Sequence, residues 1–231
     1  MILKSFGCSY IFGSELADDG RNKLYATGSQ LTWPALVAKH HGYQYNTYAR
    51  PGSGNQQILE RLSSNLAGSV NDSTICVIGW TWTDRFDYCV KTTPWPGMPW
   101  ATIMPINTTE AAKIYYRDLH SEIQDKFLNL LYIRRAIDLL KEKSIPFIMT
   151  YMDSLLFDTR WHTTPAITEM QAYIQPYMTT FEGLNFQDWS CGNKYNISKI
   201  GHPLEYAHQA ASEYIIQALD TKSIGAHCHL F

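Results

Sequence analysis

The chain has 231 residues, of which 45% are apolar and 17% charged, a composition that excludes a disordered protein and suits one α/β domain with a sizeable core. Its formal net charge of −2 offers no basic surplus for a phosphate backbone, so no nucleic-acid partner is expected. The five cysteines are odd in number and form no C-x-x-C pair, which favours reduced thiols over disulfides or a structural zinc site.

The N-terminus lacks a basic segment followed by an apolar one, and no run of about 18 apolar residues occurs. The sequence therefore predicts a cytoplasmic protein without a membrane span. We expect no metal and no cofactor, and the sequence leaves the oligomeric state open.

The first predicted element is a short strand, Met1-Ile2-Leu3, which runs into a turn over residues 5–13. Gly7 lets the backbone bend there, and Ser9 would then lie at the carboxyl end of the first parallel strand, where open α/β sheets place their chemistry. The G-x-S-x-G spacing of a nucleophile elbow is absent. Ser9 is thus a candidate nucleophile, and an ordinary strand-end turn is the alternative.

The rest of the chain alternates helices and strands. Helices are predicted over 31–42, 55–66, 111–143 as one helix or two, 165–177 and 204–219. Strands are predicted over 43–49, 74–80, 144–151 and 184–186. The continuous apolar run at 74–80 should be central in the sheet, because both of its faces are apolar. This alternation predicts an α/β fold, a three-layer α/β/α sandwich in a single domain over 1–231.

Residues 91–109 are rich in Pro, Trp and Thr and show no period, so they are predicted to form a long loop. The loop follows the third strand's carboxyl end. It could be a lid over a cleft, a satellite cluster or a surface for a partner.

Four motifs resemble the sequence blocks of the SGNH (GDSL-type) hydrolases, in the family's order. Residues 6–9, F-G-C-S, resemble block I, with Cys8 where the family usually has Asp. Residues 49–55 resemble block II, residues 78–81 stand where the family has G-x-N-D, and residues 201–203 resemble the histidine end of block V. The resemblance implies a flavodoxin-like parallel sheet of about five strands in the order 2-1-3-4-5, and a phage or environmental-bacterial context.

The resemblance also implies a set of catalytic roles. Ser9 would be the nucleophile and His202 the general base. The backbone N–H groups of Ser9 and Gly52 would stabilise the oxyanion. Thr81 stands in the place of the family's asparagine donor, so this donor is weakened, replaced by the hydroxyl of Thr81 or supplied by Asn55.

The acid is the largest departure from the family pattern. Lys199 occupies the position, three residues before His202, where the family usually carries Asp. We therefore predict that a backbone carbonyl within 196–200 orients the imidazole, with the carboxylate of Asp153 or Asp188 as the second choice. Such an enzyme would be slow, because a carbonyl stabilises an imidazolium less than a carboxylate does.

Two functions fit these observations. The first is a serine hydrolase or acyltransferase acting on a small ester or an acylated carbohydrate. The second is a binding or accessory module of the same fold that recognises a glycan or a protein through its aromatic loop. Candidate substrate-binding residues share an aromatic or cationic side chain near the third strand: Trp80, Arg85, Trp95 and Trp100.

Overall fold

A computed structural model describes residues 1–19, 27–68, 73–90 and 99–220. Its strands are β1 (Ile2–Gly7), β2 (Gln44–Thr47), β3 (Thr74–Trp80), β4 (Phe86–Cys89), β5 (Trp100–Ile103) and β6 (Phe147–Tyr151). Its α-helices are α1 (Ser9–Phe12), α2 (Trp33–His40), α3 (Asn55–Leu66), α4 (Glu110–Ile114), α5 (Glu122–Glu142), α6 (Pro165–Ile174), α7 (Phe186–Gly192) and α8 (Glu205–Asp220).

The main sheet is parallel, with strand order β2-β1-β3-β6. This confirms the predicted α/β fold and the central position of β3, which is buried along its whole length. The strand predicted at 184–186 is wrong, because α7 already begins at Phe186. In its place, within the described residues, a single parallel bridge joins Met178 to Met149 on β6.

Side chains of the sheet alternate between two cores, and this alternation produces three layers. On β6, Phe147 and Met149 face the core formed with α3, α5 and α6. Ile148, between them, faces the core formed with α1, α2, α7 and α8. The carboxyl ends of all four strands therefore open at one edge, between the two helical layers.

The segment between β3 and α5 departs from the prediction. Strands β4 and β5 form a separate antiparallel pair, so the predicted loop 91–109 contains a strand, and β4 itself was not expected. Residues 91–98 of that loop lie outside the described residues. The predicted helix 111–143 is divided by a π-helical stretch, Tyr115–Leu119, between α4 and α5.

None of the helices in the described ranges combines the length and apolar character that a bilayer crossing requires. Within the same ranges, no group of three or more His, Cys, Asp or Glu side chains is arranged to hold a metal ion.

Candidate active site

Ser9 lies at the first turn of α1, directly after the carboxyl end of β1. Gly7 and Gly79 are register partners on β1 and β3. A Cβ atom on Gly7 would come within 2.6 Å of Cγ1 of Ile11, and one on Gly79 within 2.5 Å of the same atom. Because both positions are glycine, Ile11 packs directly onto the strands and seats α1, with Ser9, against the sheet edge.

His202 is held by a tight hairpin. The N–H of Ser198 donates to the carbonyl of His202 (2.8 Å), the N–H of Gly201 donates to the carbonyl of Ser198 (3.1 Å), and Gly201 has a φ of 94°. A three-residue loop that ends in a left-handed glycine has this pattern. The Tyr10 hydroxyl lies 2.8 Å from the Gly201 carbonyl oxygen, and the Tyr10 ring packs edge-on against the imidazole at 5.2 Å. Helix α1 therefore positions both Ser9 and the histidine hairpin.

Ser9, His202 and Glu15 form a continuous hydrogen-bonded chain. Oγ of Ser9 lies 2.8 Å from Nε2 of His202, and Nδ1 of the same ring lies 2.7 Å from Oε2 of Glu15. The hydroxyl of Ser198 donates to that Glu15 oxygen and accepts the N–H of His202 at 3.0 Å. The partner of Nδ1 is therefore the carboxylate of Glu15, and the prediction of a carbonyl in 196–200 is wrong.

Glu15 reaches the imidazole because the chain reverses after α1. Gly13 ends that helix with a φ of 81°, and Glu15 itself has a φ of 70°, an uncommon conformation for a residue with a Cβ atom. The backbone N–H of Glu15 donates to Oδ2 of Asp19 at 2.8 Å, which fixes this turn. Lys199, in the position of the family's Asp, is exposed at the tip of the histidine hairpin, on the turn rather than beside the ring.

The two aspartates predicted to orient His202 are engaged elsewhere. Asp153 accepts the N–H of Thr83 (2.9 Å) and the Thr83 hydroxyl (2.7 Å), which fixes the loop after β3. Asp188 lies on α7 and accepts the side-chain amide of Asn185 at 2.6 Å. Neither carboxylate bonds to the imidazole, so both predictions are wrong.

The loop that carries Gly52 is held against the end of β1. The N–H of Arg50 donates to the Gly7 carbonyl at 3.0 Å, and Nη2 of Arg61 donates to the Ser53 hydroxyl at 2.9 Å and to Gly7 at 3.4 Å. Burial, with a smaller contribution from Arg50, lowers the pKa of the Arg61 guanidinium to about 10. Gly52 has a φ of 80°, and nothing lies within 4 Å of where its Cβ would be.

The backbone N–H groups of Ser9 and Gly52 have no acceptor in the described part of the chain. Both belong to segments that meet at the carboxyl end of β1, one directly after the strand and one in the loop that crosses it. They are therefore available to a bound group.

Thr81 and Asn55 bond to each other. The N–H of Thr81 donates to Oδ1 of Asn55 (2.8 Å), and Nδ2 of Asn55 donates to the Thr81 carbonyl (3.1 Å) and to Oδ1 of Asn129 (2.6 Å). Both amide hydrogens of Asn55 are thus used within the protein, so the suggestion that Asn55 supplies an oxyanion donor is wrong. The Thr81 hydroxyl is buried, without a hydrogen-bond partner among the described residues.

The aromatic residue beside the site is Trp82, which sequence reasoning missed. Its ring lies 5.3 Å from that of Tyr10, and the guanidinium of Arg85 lies 5.0 Å from its centroid. Trp80, two residues earlier, is fully buried in the core with α3, α5 and α6, because alternation along β3 turns it away from this edge. It is therefore not a substrate-binding residue. Trp82 is half-buried and lies beyond the end of β3, so the alternation along the strand does not predict where its side chain lies.

Two other tryptophans, Trp95 and Trp100, were predicted to bind substrate. Trp95 lies outside the described residues. Trp100 begins β5 and pairs with Cys89, and no contact among the described residues joins it to Ser9 or His202. A role for either in substrate binding stays a prediction.

Together these elements define an α/β/α sandwich with serine, histidine and carboxylate aligned at the carboxyl edge of a parallel sheet. The chain has the fold of the SGNH (GDSL-type) hydrolases, and the solved structures that share it confirm this resemblance. One is a member of the lipolytic protein G-D-S-L family from Veillonella parvula, with a TM-score of 0.51, 12% identity, and coverage of 96% of this chain and 98% of that chain.

A second is an acetyl xylan esterase from the rumen bacterium Butyrivibrio proteoclasticus, with a TM-score of 0.50 and 14% identity. The alignment covers 96% of this chain and 64% of the esterase, so this chain spans less than two thirds of that protein. The sequence itself matches no protein-family model and no curated protein.

Proposed function

We propose that the protein is a serine ester hydrolase in which Ser9 is the nucleophile, His202 the general base and Glu15 the acid that orients the base. The observation that carries this proposal is the alignment of Ser9 Oγ, the two ring nitrogens of His202 and Glu15 Oε2 through contacts of 2.8 and 2.7 Å. Nucleophile, base and orienting group in this order are the requirements of a Ser-His-acid hydrolase.

The chemistry follows from the tautomer that Glu15 selects. A proton on Nδ1 donates to the carboxylate, which leaves the lone pair of Nε2 facing the Ser9 hydroxyl. As Oγ attacks the ester carbonyl, its proton passes to Nε2, and the imidazolium then protonates the departing alcohol. Water, activated by the same nitrogen, cleaves the acyl-enzyme and returns Ser9.

The negative charge that develops on the carbonyl oxygen needs fixed donors. The free N–H groups of Ser9 and Gly52 are suited to this task, and the left-handed conformation of Gly52 leaves its backbone uncovered. Neither predicted side chain adds a third donor within the described residues, since Asn55 is engaged and the Thr81 hydroxyl is buried. We expect turnover below that of a comparable enzyme with three donors, because one donor contributes about 10²- to 10³-fold in kcat.

The substrate class we propose is a small ester or an acylated carbohydrate. Water and a second alcohol can both accept the acyl group, so the protein is a hydrolase or an acyltransferase according to which acceptor the cleft admits. Measuring transfer to added methanol or glucose against hydrolysis of the same aryl acetate separates these two activities.

A non-catalytic binding module of the same fold is the second candidate, and the missing third oxyanion donor is the observation that favours it. The engagement of Glu15 with His202 weighs against it, because a carboxylate on the imidazole has no evident use in glycan or protein binding. The two candidates predict different behaviour of Ser9.

The deciding experiment is labelling by a fluorophosphonate, together with hydrolysis of 4-nitrophenyl acetate, in the wild-type protein and in Ser9→Ala. Labelling and hydrolysis that both disappear in Ser9→Ala support the hydrolase. Ser14→Ala is the matched control, since it also removes a buried hydroxyl near α1 and should keep the label. A folded wild-type protein that neither labels nor hydrolyses, while a known serine esterase does both, contradicts the proposal and favours the binding module.

A further inference from the structure

Arg85 joins the two sides of the site. On one side, its Nη1 donates to the Ser53 carbonyl at 2.9 Å, next to Gly52. On the other side, its guanidinium lies over Trp82, whose ring contacts Tyr10, and Tyr10 contacts the imidazole of His202. The guanidinium therefore links the loop that carries Gly52 to the aromatic residues that pack against His202.

Arg85 has no direct ion-pair partner in the part of the chain that the structure describes. Within the described residues no Asp or Glu oxygen forms an ion pair with it, whereas exposed Arg117 and Arg160 each pair with an aspartate. Its single protein hydrogen bond uses Nη1, so the N–H groups of Nε and Nη2 have no acceptor in the described part of the chain. A half-buried guanidinium with free donors is suited to an anionic partner.

Asp84, the neighbour of Arg85 in the sequence, forms no ion pair with it among the described residues, although the two groups lie close enough to interact. Burial raises the pKa of its carboxyl group, the charge of Asp153 adds to the rise, and Arg85 opposes it. Contact with the Trp82 ring restricts the guanidinium, so we expect less rotamer freedom to be lost when its donors bind a planar anion.

We propose that the site takes esters that carry a carboxylate, and that Arg85 binds this group. The inference rests on the proposed ester hydrolysis and specifies its substrate class. A carboxylate matches the planar fork of an arginine and can accept two parallel hydrogen bonds from it. It can belong either to the acyl part or to the alcohol part of the ester, and the experiment distinguishes these sources.

The test compares kcat/KM for matched charged and neutral esters. In the alcohol arm, 4-acetoxybenzoate is compared with 4-acetoxybenzamide. In the acyl arm, the 4-nitrophenyl half-ester of adipic acid is compared with 4-nitrophenyl hexanoate, each rate being corrected for hydrolysis without protein. The variants are Arg85→Gln, Arg85→Lys and, as a matched loss of one surface arginine, Arg117→Gln.

We expect the wild-type protein to prefer the charged ester in one arm by about 10-fold or more, the effect of a charge-assisted hydrogen bond. Arg85→Gln should abolish this ratio, Arg85→Lys should retain part of it, and Arg117→Gln should retain all of it. Increasing the salt concentration should reduce the ratio in the wild type.

Two results would overturn the inference and leave ester hydrolysis intact. One is turnover of neutral esters without a charge preference in either arm. The other is an equal loss of both rates in Arg85→Gln, which would mean that Arg85 only positions Ser53 and the Gly52 loop. Absence of all hydrolysis, together with absence of fluorophosphonate labelling, would instead contradict the proposed function itself.

Discussion

Replacing Glu15 by Gln tests the proposed acid most directly. The substitution keeps the shape of the side chain and its capacity for the left-handed backbone, but removes the negative charge 2.7 Å from the imidazole nitrogen. Two unit charges about 4 Å apart interact by about 4 kcal/mol at an effective dielectric constant of about 20. This energy stabilises the imidazolium in the transition state and corresponds to about 10³-fold in rate.

Water reduces this energy, because the Glu15 side chain is 26% exposed while that of His202 is 13% exposed. We therefore expect kcat for 4-nitrophenyl acetate to fall by about 10²- to 10³-fold in Glu15→Gln, with KM changed little. Glu15→Asp should recover part of the loss only if the shorter carboxylate reaches Nδ1. Fluorophosphonate labelling should slow in parallel, since it depends on the same activation of Ser9.

Two controls separate catalysis from folding. The melting temperature and the circular dichroism spectrum of Glu15→Gln should remain those of a folded protein. Asp19→Asn, which perturbs the turn but keeps the Glu15 carboxylate, should lower kcat much less. A kcat of folded Glu15→Gln within threefold of the wild type would refute the assignment of the acid.

Three further outcomes follow from the same structure. Gly7→Ala should reduce the free energy of unfolding by about 1–3 kcal/mol and lower kcat, because its Cβ would overlap Ile11 and displace the serine turn; unchanged melting and activity would contradict this packing. Lys199→Asp should not increase ester hydrolysis, since residue 199 is exposed on the hairpin tip, and a large gain would mean that the acid site is there after all. His208 is fully buried and accepts the N–H of Trp33, and burial, with the charge of His202 adding, lowers its pKa to about 3. An unfolded chain binds this proton near pH 6.5, so stability should be lost as the pH falls, by about 3 kcal/mol between about pH 7 and pH 4; urea unfolding of His208→Gln should show a weaker pH dependence, and an equal slope would exclude this group as its source.

The main parallel strands could be predicted from the sequence because each has its own local pattern, whereas their order came from the resemblance to the SGNH hydrolases. The apolar run of β3 predicts a strand buried on both faces, and the run of β6 follows the same rule. Strands β4 and β5 were missed because they are short, half-exposed and form a separate pair, so that neither strand shows a continuous apolar run. The prediction of a fifth strand was wrong for another reason. Residues 184–186 lead into α7, and Asn185 caps that helix.

The pairing of Ser9 with His202, 193 positions apart, was predicted from the order of the motifs. In the structure, Oγ of Ser9 lies 2.8 Å from Nε2 of His202. Glu15 was missed although it lies only six residues after Ser9. Nothing in the local pattern indicates that Glu15 adopts a left-handed conformation and turns back, since polar residues after a short helix usually form an ordinary surface loop. The identity of residue 199 could show that the usual acid was absent, but not which carboxylate replaced it.

The sequence by itself determined the alternation of strands and helices and the buried centre of the sheet, and it pointed to Ser9, Gly52 and His202 as candidate site residues, because these depend on local periodicity and on short motifs. Only the tertiary structure decided which groups meet at the end of β1: Glu15 on Nδ1 of His202, Asn55 engaged by Thr81, and Trp82 rather than Trp80 at the edge. Such contacts depend on loop reversals and on distances of a few ångströms between segments that are remote in the chain. Whether a hydrogen bond forms depends on a difference of less than about 1 Å in the donor–acceptor distance. A pattern of residue types does not determine distances to that precision.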